Sequence, residues 1–247
     1  MQQLGGGCRM TKLYLVGTHH LDMKGPERLE KFLGFVRPDV IGIETTEKRF
    51  KSTNEDHEGV ERQMPLLRPL FVERYGSKKA EEIVKYLNSF SYELWVSSKY
   101  IRANPGAKLV FCDILHSERV KKECRNIWEG KVDEQGKFRK DCDLIEEAAN
   151  TDFEDYQKRI DRTYQDASLG ELGVDDELLK EALLSRDEEA ERKIREAMRT
   201  TENAFVHIGG RLHLFGNYPN GHKNLYERLS DLNPVRLGLI EMDGWGR

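Results

Sequence analysis

The run Val40-Ile41-Gly42-Ile43, closed by Glu44, restricts the fold of this chain more than any other stretch. It shows no alternation of apolar and polar residues. A strand with one face in water alternates, whereas a strand covered on both faces reads as a short continuous apolar run. A second such run, Lys12 to Val16, is bounded by Gly17. Between the two, Pro26 suits the first turn of a helix, and Leu29, Phe32, Leu33 and Val36 recur at helical spacing. Arg37-Pro38-Asp39 stops that helix, because the residue before a proline disfavours the α conformation. The order β-α-β predicts a parallel pair of strands joined by a right-handed crossover.

The same signals place five strands, at Lys12–Val16, Asp39–Glu44, Ala107–Asp113, Ala204–Gly209 and Val235–Glu241. Glu47 to Gly59 is polar and reads as a loop. Val60 to Tyr75 is partly helical, interrupted by Pro65 and Pro69. Ser77 is placed to cap one helix over Lys78–Ala103, with Ile83, Leu87, Phe90, Leu94 and Ser97 or Ser98 on one face. Residues 117–200 are highly charged, with helical patterns at Ser117–Trp128, Lys137–Thr163 and Asp175–Arg199, broken at 130–136 and 167–173. Leu225 to Leu232 reads as a short helix. The expected fold class is therefore α/β, a mainly parallel sheet with helices on both faces and a helical insertion at about 117–200. All of it fits one domain, 11–247, behind a flexible tail, 1–10. A chain of 247 residues buries a core without disulfide or metal staples.

Charge and cysteine usage exclude several classes. Forty basic and 44 acidic residues leave a net charge of −4, without the basic excess of a dedicated nucleic-acid binder. Charged residues make up 34% of the chain, which fits long solvated helices or adaptation to heat. Cys8, Cys112, Cys124 and Cys142 form no Cys-x-x-Cys pair and no zinc-ribbon spacing, so a reducing, cytoplasmic compartment is expected. Apolar runs fall far short of the roughly 20 residues that span a bilayer. The N-terminus lacks an apolar signal-peptide core, and Gly5-Gly6-Gly7 has no preceding strand and no following Lys-Ser/Thr to make it a phosphate loop.

Open parallel sheets bind ligands beyond the carboxyl ends of their strands, and polar residues gather there in this sequence. The first strand leads into Gly17-Thr18-His19-His20, and the fourth into Gly210-Arg211-Leu212-His213. In each Gly-x-x-His the glycine lets the backbone turn and aims an imidazole over the strand end. His19 and His20 are adjacent, so in extended backbone they point apart, and His20 is the one assigned to the site. The second strand ends in Glu44 and the third in Asp113. A carboxylate after an apolar run needs a partner or a cation. Arg186 falls on the apolar face formed by Leu179, Leu183, Ala190 and Ile194, and there needs a carboxylate or an anionic ligand. His207 reads as a satisfied core histidine. His57, His116 and His222 read as surface groups, with His116 in reserve because it follows the third strand. Glu241 and Asp243 are weaker candidates.

Taken together these residues resemble the TraB/Tiki family, within a wider group of ChaN-like and erythromycin-esterase-like proteins. The family pattern is a first strand ending in Gly-Thr-x-His, here Gly17 to His20. Next comes Arg-Pro-Asp-Val leading to a Glu, here Arg37 to Glu44. An Arg-Asp pair follows on a helix, here Arg186-Asp187, and then a strand ending in Gly-x-x-His, here Gly210 to His213, with Gly216 after it. His19 and the pair Arg211-Leu212 stand where the family has small residues. The resemblance implies a sheet of two related halves with helical covers. It also implies peptide hydrolysis with a divalent metal of the manganese or cobalt type, zinc being an alternative. His20, His213 and Glu44 would hold the metal with positions left open for water and substrate. Asp113, or another carboxylate not yet assigned, would serve as base, and Arg186 would steady a developing oxyanion or a substrate carboxylate. Two alternatives stay open. One is metal-independent ester hydrolysis with His20 as general base oriented by Glu44. The other is sequestration, without catalysis, of a peptide, haem or small anion in the same cleft. The expected partner is a peptide or small molecule, with neither nucleic acid nor membrane, and self-association is left open.

Overall fold

In the computed structural model, which describes residues 11–114, 141–165 and 183–245, five strands form one sheet. They are β1 (Lys12–Thr18), β2 (Val40–Ile43), β3 (Lys108–Phe111), β4 (Ala204–Gly210) and β5 (Val235–Gly238). All pair in parallel, in the order β3-β2-β4-β1-β5. The strands of the first β-α-β unit are parallel but do not pair with each other, because β4 lies between them. β4 is buried along almost its whole length, so the centre of the sheet is where its apolar run is covered on every side. The register sets Thr18 beside Gly210 and Ile43 beside Ile208. This alignment brings the ends of β1, β2 and β4 to one edge.

Helices cover both faces, as the unalternating runs require. On one face α1 (Gly25–Val36) and α4 (Tyr92–Ala103) pack with a 3-10 segment, Leu239–Gly244, over Val16, Ile41, Val206 and Ile208. On the other, α7 (Ser185–Met198), α8 (Arg211–Phe215) and α9 (Leu225–Arg228) pack over Leu13, Leu15, Val40 and Phe205. A smaller apolar cluster joins α2 (Glu47–Tyr75), α3 (Ser77–Asn88), α5 (Asp141–Asn150) and α6 (Phe153–Thr163) through Phe71, Ile83, Tyr86 and Phe153. Among the described residues no helix is long and apolar enough to cross a membrane. The expected tail at 1–10, the helical pattern at 117–128, the breaks at 130–136 and 167–173, and His116, Cys8 and Cys124 lie outside the described residues.

Three expectations are corrected. The segment from Glu47 to Gly59 is not a loop but the first half of α2. Its mean composition is polar, yet Phe50 packs on Phe111 with ring centroids 5.4 Å apart, and His57 stacks on Trp95 at 4.4 Å. These two contacts, seven residues apart, hold one helical face. Pro65 and Pro69 lie inside α2 and each removes one helical hydrogen bond without ending it. The expected single helix over 78–103 is two helices. Ser91 takes left-handed backbone angles between them (φ 48°, ψ 33°), and the buried Ser89 donates to the Tyr86 carbonyl at 2.7 Å. Its cap is also displaced, since Gly76, at φ 80°, occupies the position given to Ser77. Finally β5 stops at Gly238, whose N–H donates to Glu241 Oε1 at 2.7 Å and starts the 3-10 segment.

The sheet is pinned at its amino edge by Asp39, just before β2. Its carboxylate accepts from the N–H groups of Glu202 and Ala204, each at 2.8 Å, and so fixes the entry to β4. Partial burial disfavours the charge, but these backbone donors outweigh it and hold the carboxyl below its usual range. A depressed folded-state pKa adds stability above the unfolded value and loses it as pH falls through the folded one. Asp39→Asn is therefore expected to cost about 1–2 kcal/mol near neutrality in denaturant melts. The gap to the native chain should close as pH drops below about 4.

Candidate functional site

The strand ends deliver their polar residues to one cleft. β2 runs into Glu44, whose N–H extends the ladder by donating to the Ile208 carbonyl at 3.1 Å. The Glu44 carboxylate then meets three partners. Its Oε2 accepts from the Gly210 N–H at 2.6 Å, and its Oε1 lies 3.2 Å from His213 Nε2 and forms an ion pair with Arg186 Nη2. Burial alone would raise this carboxyl, but the charges of His213 and Arg186 outweigh it and hold it well below the usual range. Arg186 in turn grips both oxygens of Asp113, at 2.8 and 3.0 Å. Glu44, Arg186 and Asp113 thus form one buried chain of charges from β2 through α7 to the end of β3.

His213 comes from α8, which starts at the end of β4. Its Nδ1 is 2.5 Å from Asp187 Oδ1, and Tyr218 donates its hydroxyl to Asp187 Oδ2 at 2.8 Å. A carboxylate only accepts, so Nδ1 carries a proton, and Nε2, turned toward Glu44, carries a second one while the ring is charged. Desolvation lowers the His213 pKa, but Glu44 and Asp187 outweigh it and push it up to about 10. His20 repeats the arrangement from the other side. Its Nδ1 lies 2.8 Å from Glu93 Oε1, and Glu93 is buried in the first turn of α4. Desolvation on the side of the ring that meets the buried Glu93 opposes the charged form, and the Glu93 carboxylate outweighs it, so the His20 pKa is raised. The His20 side chain is 58% exposed and forms the solvent side of the cleft, whereas His213 is 7% exposed and forms its floor.

Gly210 marks the point of convergence. A Cβ on it would stand 3.5 Å from His20 Nε2, 3.5 Å from Glu44 Oε2 and 3.7 Å from His213 Cδ2. Thr18 donates to the Gly209 carbonyl at 3.1 Å and ties the β1 end to β4. Gly17 admits α8: a Cβ there would lie 2.8 Å from the Phe215 ring and 3.3 Å from the Arg211 backbone. Arg211 itself is buried at the start of α8. His19 is tied through its backbone. Its N–H donates to the Tyr164 hydroxyl at 3.1 Å, and Tyr164 donates to the buried Asp22 at 3.1 Å. Asp22 also binds Arg28 at 2.6 Å and Gln157 at 2.9 Å, so α1 and α6 grip the loop that carries His20.

Several residues fall elsewhere than the sequence suggested. Glu93, not Glu44, is the carboxylate on His20. His207 is buried, but among the described residues its Nδ1 has no hydrogen-bond partner, and burial lowers its pKa to about 4. It is a core histidine without being a satisfied one. His57 is stacked between helices rather than lying free on the surface, while His222 is exposed. Asp243 pairs with Arg28 at the far side of α1, and Glu241 caps the turn after β5. Glu93, Asp187 and Tyr218 were missed as site residues. Glu93 had a signal, since it shares the helical face of Phe90, Leu94 and Ser97. Asp187 had its place in the Arg186-Asp187 pair, though with no role assigned to it, and Tyr218 had no signal.

The cleft gathers four buried carboxylates. Glu44, Glu93, Asp113 and Asp187 are 9%, 7%, 4% and 1% exposed, and the Arg186 guanidinium bonds two of them. The partners of the other two are imidazoles, which are positive only when protonated. Among the described residues no group of three or more His, Cys, Asp or Glu side chains is already drawn into metal-coordinating geometry. The donor set nevertheless fits a divalent cation: two imidazoles held by carboxylates at Nδ1, each offering Nε2, with a shared carboxylate between. At His213 and Glu44, a proton and a cation compete for the same pair of atoms. No family model matches this chain, nor does any curated protein or solved structure.

The Asp187–His213 contact is a buried ion pair, so removing one partner strands the other. Asp187→Ala is expected to destabilise the fold by about 3 kcal/mol in denaturant melts. Tyr218→Phe, which deletes one hydrogen bond, should cost about 1 kcal/mol.

Proposed function

We propose that this chain is a metal-dependent hydrolase of the TraB/Tiki type. The observation that carries this reading is the matched pair of carboxylate-anchored histidines. His20 with Glu93 and His213 with Asp187 both fix Nδ1 and present Nε2 toward Gly210 and Glu44, the outer-layer arrangement that metal-ligating histidines favour. The four buried carboxylates of the cleft add to it, since a site lined by them favours a cation over a small anion.

His20, His213 and Glu44 are the residues that would hold the ion. A divalent metal with open positions supplies an activated water and polarises a carbonyl. The chain's own groups do the rest. Glu93 and Asp187 keep the imidazoles oriented. Arg186, already at the Glu44 carboxylate, is the donor for negative charge that develops on the substrate oxygen. Asp113, bonded to Arg186, is the carboxylate outside the ligand set to which we assign the water's proton. Peptide bonds are assigned as substrate on the family resemblance; the same geometry serves an ester. A second reading has its own support. The exposed His20 with Glu93 behind it is a histidine–carboxylate dyad of the kind that acts as general base without a metal.

Metal analysis of purified protein separates the two. About one divalent ion per chain is expected, lost in His20→Ala/His213→Ala, together with hydrolysis of a peptide and ester library that chelation abolishes and manganese restores. Unchanged metal content in the double variant would sink the metal site, and turnover that survives chelation would move the chemistry to the His20–Glu93 dyad. Gly210→Ala gives a gentler probe. Its methyl group meets only ordinary van der Waals distances, so stability should change by less than about 0.5 kcal/mol. It would stand at the convergence of His20, Glu44 and His213, and metal binding should fall sharply in titration calorimetry.

A further inference from the structure

We propose that the outward stripe of α2 is a self-association surface, pairing two copies of this chain antiparallel across a two-fold axis. Leu66 is 74% exposed and Leu70 58% exposed, one turn apart and about 110° around α2 from its buried contacts. Those contacts are made by Met64, Leu67 and Phe71, which pack into the α3–α6 cluster. Pro65 and Pro69 are also exposed and widen the apolar strip. Exposed leucines at this spacing are an unfilled helix seam rather than scattered surface residues.

Charge specifies the occupant. Arg62 and Glu73 flank the leucines on the same side of the helix, within about 80° of them at 3.6 residues per turn. Both are exposed, and among the described residues neither has an ion-pair or hydrogen-bond partner. The midpoint of Leu66 and Leu70 falls at position 68, and that of Arg62 and Glu73 falls between 67 and 68. One centre therefore relates both pairs. A second copy turned about that centre sets Leu66 against Leu70 and Arg62 against Glu73, each contact made twice. A parallel copy would instead set Arg62 against Arg62. Surfaces that are their own complement about one point are what an isologous dimer requires. Because the strip is narrow, the dissociation constant is expected on the order of 10 μM.

The test is sedimentation equilibrium of the full chain from about 1 to 200 μM, a range that brackets this constant. A monomer–dimer equilibrium is expected. Leu66→Lys/Leu70→Lys should be monomeric with an unchanged thermal melt, since both side chains already face solvent. Arg62→Glu alone, or Glu73→Arg alone, should weaken the dimer by about tenfold, because like charges then meet twice. The combined Arg62→Glu/Glu73→Arg chain should return to within about threefold of the native constant. A native chain that stays monomeric throughout overturns the proposal, whatever else covers the strip. A dimer that survives the leucine substitutions, or charge reversals that do not rescue each other, overturns it equally.

Discussion

Glu44 is the carboxylate on which the carboxyl edge of the sheet depends. Burying it costs free energy that only close partners offset. Each partner arrives from a different element: the Gly210 N–H from the end of β4, His213 from α8, and Arg186 from α7. The first requires β4 to lie beside β2 in the observed register. It also requires Gly209 to lack a side chain, since a Cβ there would press to 2.8 Å from Glu44 Oε2. Arg186 then needs the second carboxylate, Asp113, at the end of β3. One buried charge thereby fixes strand order, the approach of two helices and the place of the neighbouring strand end.

The division of labour between sheet and helices follows from that arrangement. The strand ends provide the groups that meet in the cleft. The helices provide the groups behind them, and they do so from opposite faces of the sheet. Glu93 belongs to α4, which packs on one face, and Asp187 belongs to α7, which packs on the other. The two imidazoles are thus held across the sheet edge by helices that have no need to touch each other. A shift in either face would turn one ring without moving the other.

This division also explains what the sequence disclosed. Strand runs and Gly-x-x-His segments are local patterns, and each strand end announces its polar residue. A helix-borne carboxylate does not announce itself, because acidic residues are common on helices and only the buried side distinguishes them. Glu93 was recoverable, lying on the face of Phe90, Leu94 and Ser97 by the same logic that singled out Arg186. Strand order was not recoverable, because nothing local to β4 says that it enters between β1 and β2. The first half of α2 was hidden for a related reason. Phe50 and His57 hold it against Phe111 and Trp95, partners distant in sequence, while its mean composition reads as loop.

Two buried charge clusters in this fold differ in a way that bears on function. Around Arg28, the carboxylates of Asp22, Asp161 and Asp243 all meet the guanidinium, and Lys24 approaches two of them. Gln157 and Tyr164 complete the bonding of Asp22. The cations of that cluster are permanent, and it ties α1, α6 and the C-terminal 3-10 segment together. In the cleft, by contrast, the cationic partners of Glu93 and Asp187 are imidazoles. Their charge is conditional, supplied by a proton. A cluster built only for stability gains nothing from conditional charge, since apolar residues of similar volume would serve as well or better. Retaining buried carboxylates behind two histidines is intelligible if what the cleft must accommodate is a change of charge at those two nitrogen atoms.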